Sequence, residues 1–274
     1  MAILQMEYFS HAMRGFRSFT AVLPVDPPPT EEKDGAVPGY AAGPWPTLYL
    51  LHGLSGSRND WLKNSDIEML AARYGLAVIM PDGDNRFYLD NPETGVFCGE
   101  MTGRELVTVT RNMFRLSPRR EDTLIGGLSM GGYGAVRNGL KYRDTFGTIL
   151  AFSSALITNQ YARGELDNPD RVIMPFGYYT YTFGPKEKVQ GSEVDPAFLA
   201  KRAMEDGNRP ELFLACGSED FLYENNLEFH NALEEMKYPH EWWVEPGVHN
   251  FDFWRRAVTA GLAWWASRRE GEGK

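Results

Sequence analysis

Residues 123–135 read TLIGGLSMGGYGA, an apolar run followed by a serine set among five glycines. Glycine loses more backbone freedom on folding than any other residue, so such a cluster needs a geometric reason. Gly127-Leu128-Ser129-Met130-Gly131 has the spacing G-x-S-x-G, and it lies between a predicted strand at 123–127 and a predicted helix at 131–141. In that setting the pattern reads as a strained strand-to-helix turn that holds the hydroxyl exposed at the helix N-terminus. Side chains two residues to either side of Ser129 would obstruct the turn, and Gly132 and Gly134 would let the helix lie close to the sheet. The helix dipole is then aimed at negative charge developing beside Ser129. The phosphate-cradling patterns G-x-G-x-x-G and G-x-x-x-x-G-K-[ST] do not fit these glycines.

Working outward, apolar runs and helical patterns alternate from about residue 46. Strands are predicted at 47–51, 76–80, 146–153, 212–216 and 241–245. Helices are predicted at 66–74, 103–116, 222–237 and 251–267. Strands separated by helices imply right-handed crossovers and a mostly parallel central sheet with helices on both faces. Residues 17–23 alternate more like an antiparallel edge hairpin. Two stretches fall outside the alternation. Residues 24–46 are rich in Pro, Gly and acidic residues and read as a surface loop. Residues 156–194 are weakly periodic with an aromatic run, FGYYTYTFG at 176–184, and suggest a small cap insertion in an otherwise single domain spanning 1–274. The tail SRREGEGK is expected to fray.

The composition bounds the function. The chain has 274 residues, 43% of them hydrophobic, and a net charge of −9, which argues against a nucleic-acid surface. No run approaches the length of a membrane span and no signal peptide is visible, so a cytoplasmic protein without membrane partners is expected. The two cysteines, Cys98 and Cys216, read as buried and reduced.

An elbow serine is inert without a base and an orienting carboxylate, which follow it in the order Ser, Asp/Glu, His. Three histidines lie downstream: His230 inside a predicted helix, His240 before a strand, and His249 in PGVHNFDFW, after the strand at 241–245. His249 alone falls at the C-terminal edge of the sheet, where sites on such sheets assemble, and is assigned as general base. The strand at 212–216 ends in Gly217-Ser218-Glu219-Asp220-Phe221; Asp220 is preferred for its shorter reach, with Glu219 as rival and Asp252 less suited because it follows the histidine. The backbone N–H groups of Met130 and Leu54 are the expected oxyanion donors. His52 is expected to pack behind the Leu54 loop. No cofactor is indicated, and no metal site, because the histidines lack spacing such as H-E-x-x-H.

The blocks MEYFSHAMRGFRSFTAVLP, TLYLLHGLSGSRNDWLKNSDIEMLA, IMPDGDNRFYLD, IGGLSMGGYGAVRNGL, CGSEDFLYENN and GVHNFDFW occur in that order and cover nearly the whole chain. They resemble the tributyrin esterases in the esterase D, or S-formylglutathione hydrolase, branch of the α/β-hydrolases. The stretch GVFCGEMTGREL departs from the tributyrin type in carrying fewer tyrosines. The resemblance implies a serine carboxylesterase with Ser129, Asp220 and His249 as triad, acting on short-chain acyl esters such as acetylated sugars or other small esters. Thioester hydrolysis and acyl transfer are the alternative activities, and a non-catalytic scaffold is the alternative class. The expected partner is a small-molecule ester, and a homo-oligomer is compatible with the sequence. Without a lipid-like lid the acyl pocket should be small, with Phe176, Tyr178, Tyr179, Tyr181 and Phe183 either walling it or packing the cap in place.

Overall fold

Leu48 and Leu50 belong to one apolar core and Tyr49 and Leu51 to another, so an uninterrupted apolar run is what a strand covered on both faces requires. The same alternation runs through Ile125 against Leu124, and through Ile149 and Ala151 against Leu150 and Phe152. Burying each Leu, Ile or Phe side chain contributes about 1.5–3 kcal/mol, and both faces of the sheet collect it. The computed structural model describes residues 1–25, 43–167 and 174–272. Most of the predicted loop at 24–46, part of the segment at 156–194 and the last two residues of the tail lie outside them.

The strands are β1 (Ala2–Ser10), β2 (Gly15–Leu23), β3 (Thr47–Leu51), β4 (Ala77–Pro81), β5 (Asp90–Asn91), β6 (Val96–Phe97), β7 (Thr123–Leu128), β8 (Thr148–Phe152), β9 (Glu211–Gly217) and β10 (Glu241–Glu245). All but β5 and β6, which pair with each other, form one eight-stranded sheet in the order β1-β2-β4-β3-β7-β8-β9-β10. Pairings from β4 across to β10 are parallel, while β2 runs antiparallel to both β1 and β4. The predicted edge hairpin is therefore real, but β1 takes the edge and β2 sits one place in.

The helices are α1 (Asp60–Asn64), α2 (Ile67–Tyr74), α3 (Cys98–Glu100), α4 (Leu106–Met113), α5 (Met130–Lys141), α6 (Thr158–Ala162), α7 (Phe176–Phe183), α8 (Pro196–Glu205), α9 (Tyr223–Glu235) and α10 (Phe251–Glu272). Helices α1, α2 and α10 contribute Trp61, Ile67, Leu70, Phe253, Val258 and Leu262 to one face of the sheet. Helices α4, α5, α8 and α9 cover the other with Leu106, Val136, Leu199 and Leu233 among others. A π turn at Met101–Glu105 joins α3 to α4. Helix α8, between the weakly periodic stretch at 156–194 and β9, was not among the predicted helices, although its start is marked by Asp195, which caps it by accepting from the Ala197 N–H at 3.0 Å, with Pro196 as first residue. Helix α10 runs through Glu272, and the last two residues of the tail expected to fray lie outside the described residues.

Helices α6 and α7 rise from the segment after β8. Their aromatics pack downward: Phe183 lies edge-on to Phe87 at 4.9 Å and to Tyr133 at 5.8 Å, and Tyr161 stacks on Tyr179 at 5.9 Å. The Tyr178 hydroxyl donates to the Asn85 carbonyl at 2.7 Å. Among the described residues no helix is long and apolar enough to cross a membrane. Cys98 and Cys216 are buried free thiols, each pushed up to about 12 by burial.

Candidate active site

Ser129 follows β7 directly and takes φ 55°, ψ −119°, a conformation side chains rarely adopt. The glycines around it explain how that turn closes. A Cβ on Gly131 would stand 2.5 Å from the carbonyl oxygens of Leu51 and His52, and one on Gly127 would strike the Gly131 backbone. The start of α5 thus rests directly on the end of β3. Deeper in α5 the close approach to the sheet falls at Gly139, whose Cβ would meet Ile149 and Ile125, whereas Gly134 makes room for the Tyr88 ring. The strain at Ser129 is held by three backbone bonds: its N–H donates to the Phe152 carbonyl at 3.0 Å, and its carbonyl accepts from the N–H groups of Tyr133 at 3.0 Å and Ala155 at 2.9 Å.

The predicted partners meet the serine. The Ser129 hydroxyl donates to His249 Nε2 at 2.9 Å, and His249 Nδ1–H donates to Asp220 at 2.9 Å to Oδ2 and 3.0 Å to Oδ1. A carboxylate only accepts, so the ring proton sits on Nδ1 and the Nε2 lone pair faces the serine. Asp220 is buried, and burial works to raise its pKa. The hydrogen bonds from His249 and from the Leu222 N–H, at 2.9 Å, outweigh that and hold the carboxyl below its ordinary value. The His249 ring is flanked by Phe221 at 4.5 Å and by Trp254, edge-on, at 4.9 Å. The rivals point elsewhere. Glu219 accepts from the Gly247 N–H at 2.5 Å and from Ser218 at 2.7 Å, pinning the turn that carries His249. Asp252 is exposed on the first turn of α10, within 4.0 Å of Arg255.

Leu54 and Met130 line the same cavity as Ser129 and His249, and among the described residues neither backbone N–H is seen donating to a protein acceptor. The loop carrying Leu54 is fixed from behind. His52 Nε2 accepts from the Gly83 N–H at 2.9 Å, so its proton is on Nδ1 and donates to the Gly53 carbonyl at 2.7 Å. The Tyr88 hydroxyl adds a bond to the His52 carbonyl at 3.1 Å, and Asn85 accepts from the Ser55 N–H at 2.7 Å. This is the packing role expected of His52.

The cavity encloses about 610 Å³, more than a short acyl group alone fills. Its apolar walls come from Phe87, Ile157, Met174, Phe221, Phe251 and Trp254, with Ser55 and Asp60 as further polar groups. Among the described residues, Tyr178, Tyr179, Tyr181 and Phe183 of α7 do not line it, which corrects the expectation that they wall it: Tyr179 and Phe183 are buried in the core, and Tyr181 is 48% exposed. The Phe176 side chain lies outside the described residues. Among the described residues, what the segment gives the cavity is Ile157 and Met174. Neither they nor Phe221 and Trp254 were legible as wall residues, because no local pattern says which isolated apolar residue of a loop turns toward a distant turn.

Sheet order, elbow and cleft together define an α/β-hydrolase. The Esterase family model matches residues 37–265, and the chain belongs to that family. It is 38% identical over 266 residues to an acetyl esterase of Caldicellulosiruptor saccharolyticus, a match covering 96% of this chain and 98% of that one. Among solved structures, an S-formylglutathione hydrolase of Staphylococcus aureus is similar with a TM-score of 0.78 at 28% identity, over 96% of this chain and 98% of that one. A substrate-bound fluorophosphonate-binding serine hydrolase of the same organism is similar to the same extent, with a TM-score of 0.78. The chain is a serine ester hydrolase, a carboxylesterase of the esterase D branch.

Proposed function

We propose that Ser129 is the nucleophile, His249 the general base and acid, and Asp220 the carboxylate that fixes the imidazole, in the hydrolysis of short-chain acyl esters. The observation that carries this is the continuous bond chain from Asp220 through His249 to Ser129, with distances of 2.9 Å at each link. As Ser129 Oγ attacks the ester carbonyl, its proton passes to Nε2, and the N–H groups of Leu54 and Met130 stabilise the oxyanion. His249 then returns the proton to the leaving alkoxide. A water, deprotonated in the same way, cleaves the acyl-enzyme and frees the serine.

The acetyl esterase relative supports a short acyl group, and the remainder of the cavity is left for the alcohol part. Thioesters of glutathione fit less well, because the described wall residues include no Lys or Arg to meet the carboxylates of that tripeptide. The test is kcat/KM across a p-nitrophenyl ester series. Acetate to butyrate should be cleaved readily and chains beyond about eight carbons poorly, since each methylene forced into a filled pocket costs on the order of 1–3 kcal/mol. A maximum at twelve or more carbons would contradict the short-acyl reading.

A further inference from the structure

Two histidines that the hydrolytic site does not use meet at the opposite edge of the sheet. His230 lies in α9, which runs away from the edge bearing Asp220, and His240 immediately precedes β10, which runs back toward His249. His230 Nδ1 and His240 Nε2 are 2.7 Å apart. His240 Nδ1–H donates to the Tyr238 carbonyl at 2.8 Å, which leaves its Nε2 as a lone pair directed at His230. A ring held through one nitrogen by a backbone carbonyl, with the other nitrogen free to coordinate, is the arrangement that metal-ligating histidines show. Glu234 stands one helical turn after His230 on the same face of α9, and its Oε1 lies 3.9 Å from His240 Nδ1, so it must turn toward Nε2 to join the ligands. One ligand atom from each of the three lies within 4.8 Å of the others. The Trp242 ring stacks on His230 at 5.0 Å and 12°, restricting its rotation.

We propose that His230, His240 and Glu234 form a site for a divalent transition-metal ion that clamps α9 to β10. Two imidazoles and one carboxylate select zinc-like ions over magnesium or calcium, which prefer all-oxygen shells. On binding, the ring proton of His230 moves from Nδ1 to Nε2, and Nδ1 and His240 Nε2 spread apart around the ion. Glu234, with a side chain 65% exposed, swings in to complete the protein ligands, and water fills the remaining position. The spacing was not legible as a metal motif, because two ligands come from the helix and the third from beyond a turn.

The probe is zinc chloride, added to the full-length chain after chelator treatment. Equilibrium dialysis at micromolar zinc should give about one ion per chain, and the melting temperature should rise with zinc concentration because only the folded chain holds the site. His230→Gln and Glu234→Gln should each weaken binding by about tenfold or more and remove the rise in melting temperature. Their retained hydrolysis of p-nitrophenyl acetate shows that both variants fold. Wild-type-like zinc binding by the two active variants, or no binding by the wild type, would overturn the site.

Discussion

Glu219 and Asp220 stand side by side after β9, and the backbone turns one outward and the other inward. The Asp220 carboxyl is buried and takes hydrogen bonds from His249 and Leu222, whereas exposed Glu219 takes the Gly247 N–H. Asp220→Asn keeps the shape but offers Nδ1–H a different partner, so the imidazole loses its fixed tautomer. We expect kcat to fall on the order of 10⁴, the loss typical of a triad aspartate, while Glu219→Gln stays within about tenfold of wild type. Measuring both variants on one ester separates them, and the reverse ranking would move the orienting role to Glu219. The same carboxyl sets a pH dependence of stability. Its folded pKa lies below the unfolded value of about 3.9, so its contribution is complete above that pH and is lost as pH falls through the folded value. Urea unfolding of wild type and Asp220→Asn should therefore differ most near neutral pH and converge in acid.

At the scale of elements, the turn between β7 and α5 is where sequence and geometry agree most closely. Gly131 has carbonyl oxygens on the side where a Cβ would lie, and those belong to the rigid end of β3. Gly131→Ala should lower stability by about 1–3 kcal/mol or more, read as a lower urea midpoint. Gly177 is a contrast within α7: no atom of the described residues lies within 4 Å of its would-be Cβ, so Gly177→Ala should raise stability by up to about 1 kcal/mol, read as a higher urea midpoint. The elbow was legible because its constraint is local, glycines at fixed offsets between a strand and a helix. His249 and Asp220 were legible because a parallel sheet puts every strand's C-terminal end at one edge. The α7 aromatics were not, since composition reveals an apolar helix without saying which neighbour it meets. Phe183 meets Phe87, Tyr133 and Tyr161, and among the described residues none of the α7 aromatics lines the cavity.

Across the whole molecule, the site draws one loop from each of β3, β7, β9 and β10. The sheet order explains why these converge. β3 lies against β7, so the Leu54 loop adjoins Ser129, while β9 lies against β10, so Asp220 adjoins His249. β8 stands between the pairs, and the N–H of Ser153 at its end donates to the Ala215 carbonyl at 2.7 Å, tying the halves together. The alternation of strands and helices was enough to expect that sheet, but the antiparallel edge strand β1, the short pair β5 and β6 and the second histidine cluster depend on contacts between segments far apart in sequence. The central claim is that this edge delivers one activated hydroxyl, and covalent trapping tests it most directly. A fluorophosphonate should label the folded chain at about one group per molecule, with activity falling in proportion and the adduct mapping by mass spectrometry to the peptide bearing Ser129. Ser129→Ala should take no label and should lose turnover by three or more orders of magnitude, roughly the cost of removing a triad serine. An adduct on another residue that tracks the loss of activity, or a Ser129→Ala protein that turns over ester near the wild-type rate, would contradict the account.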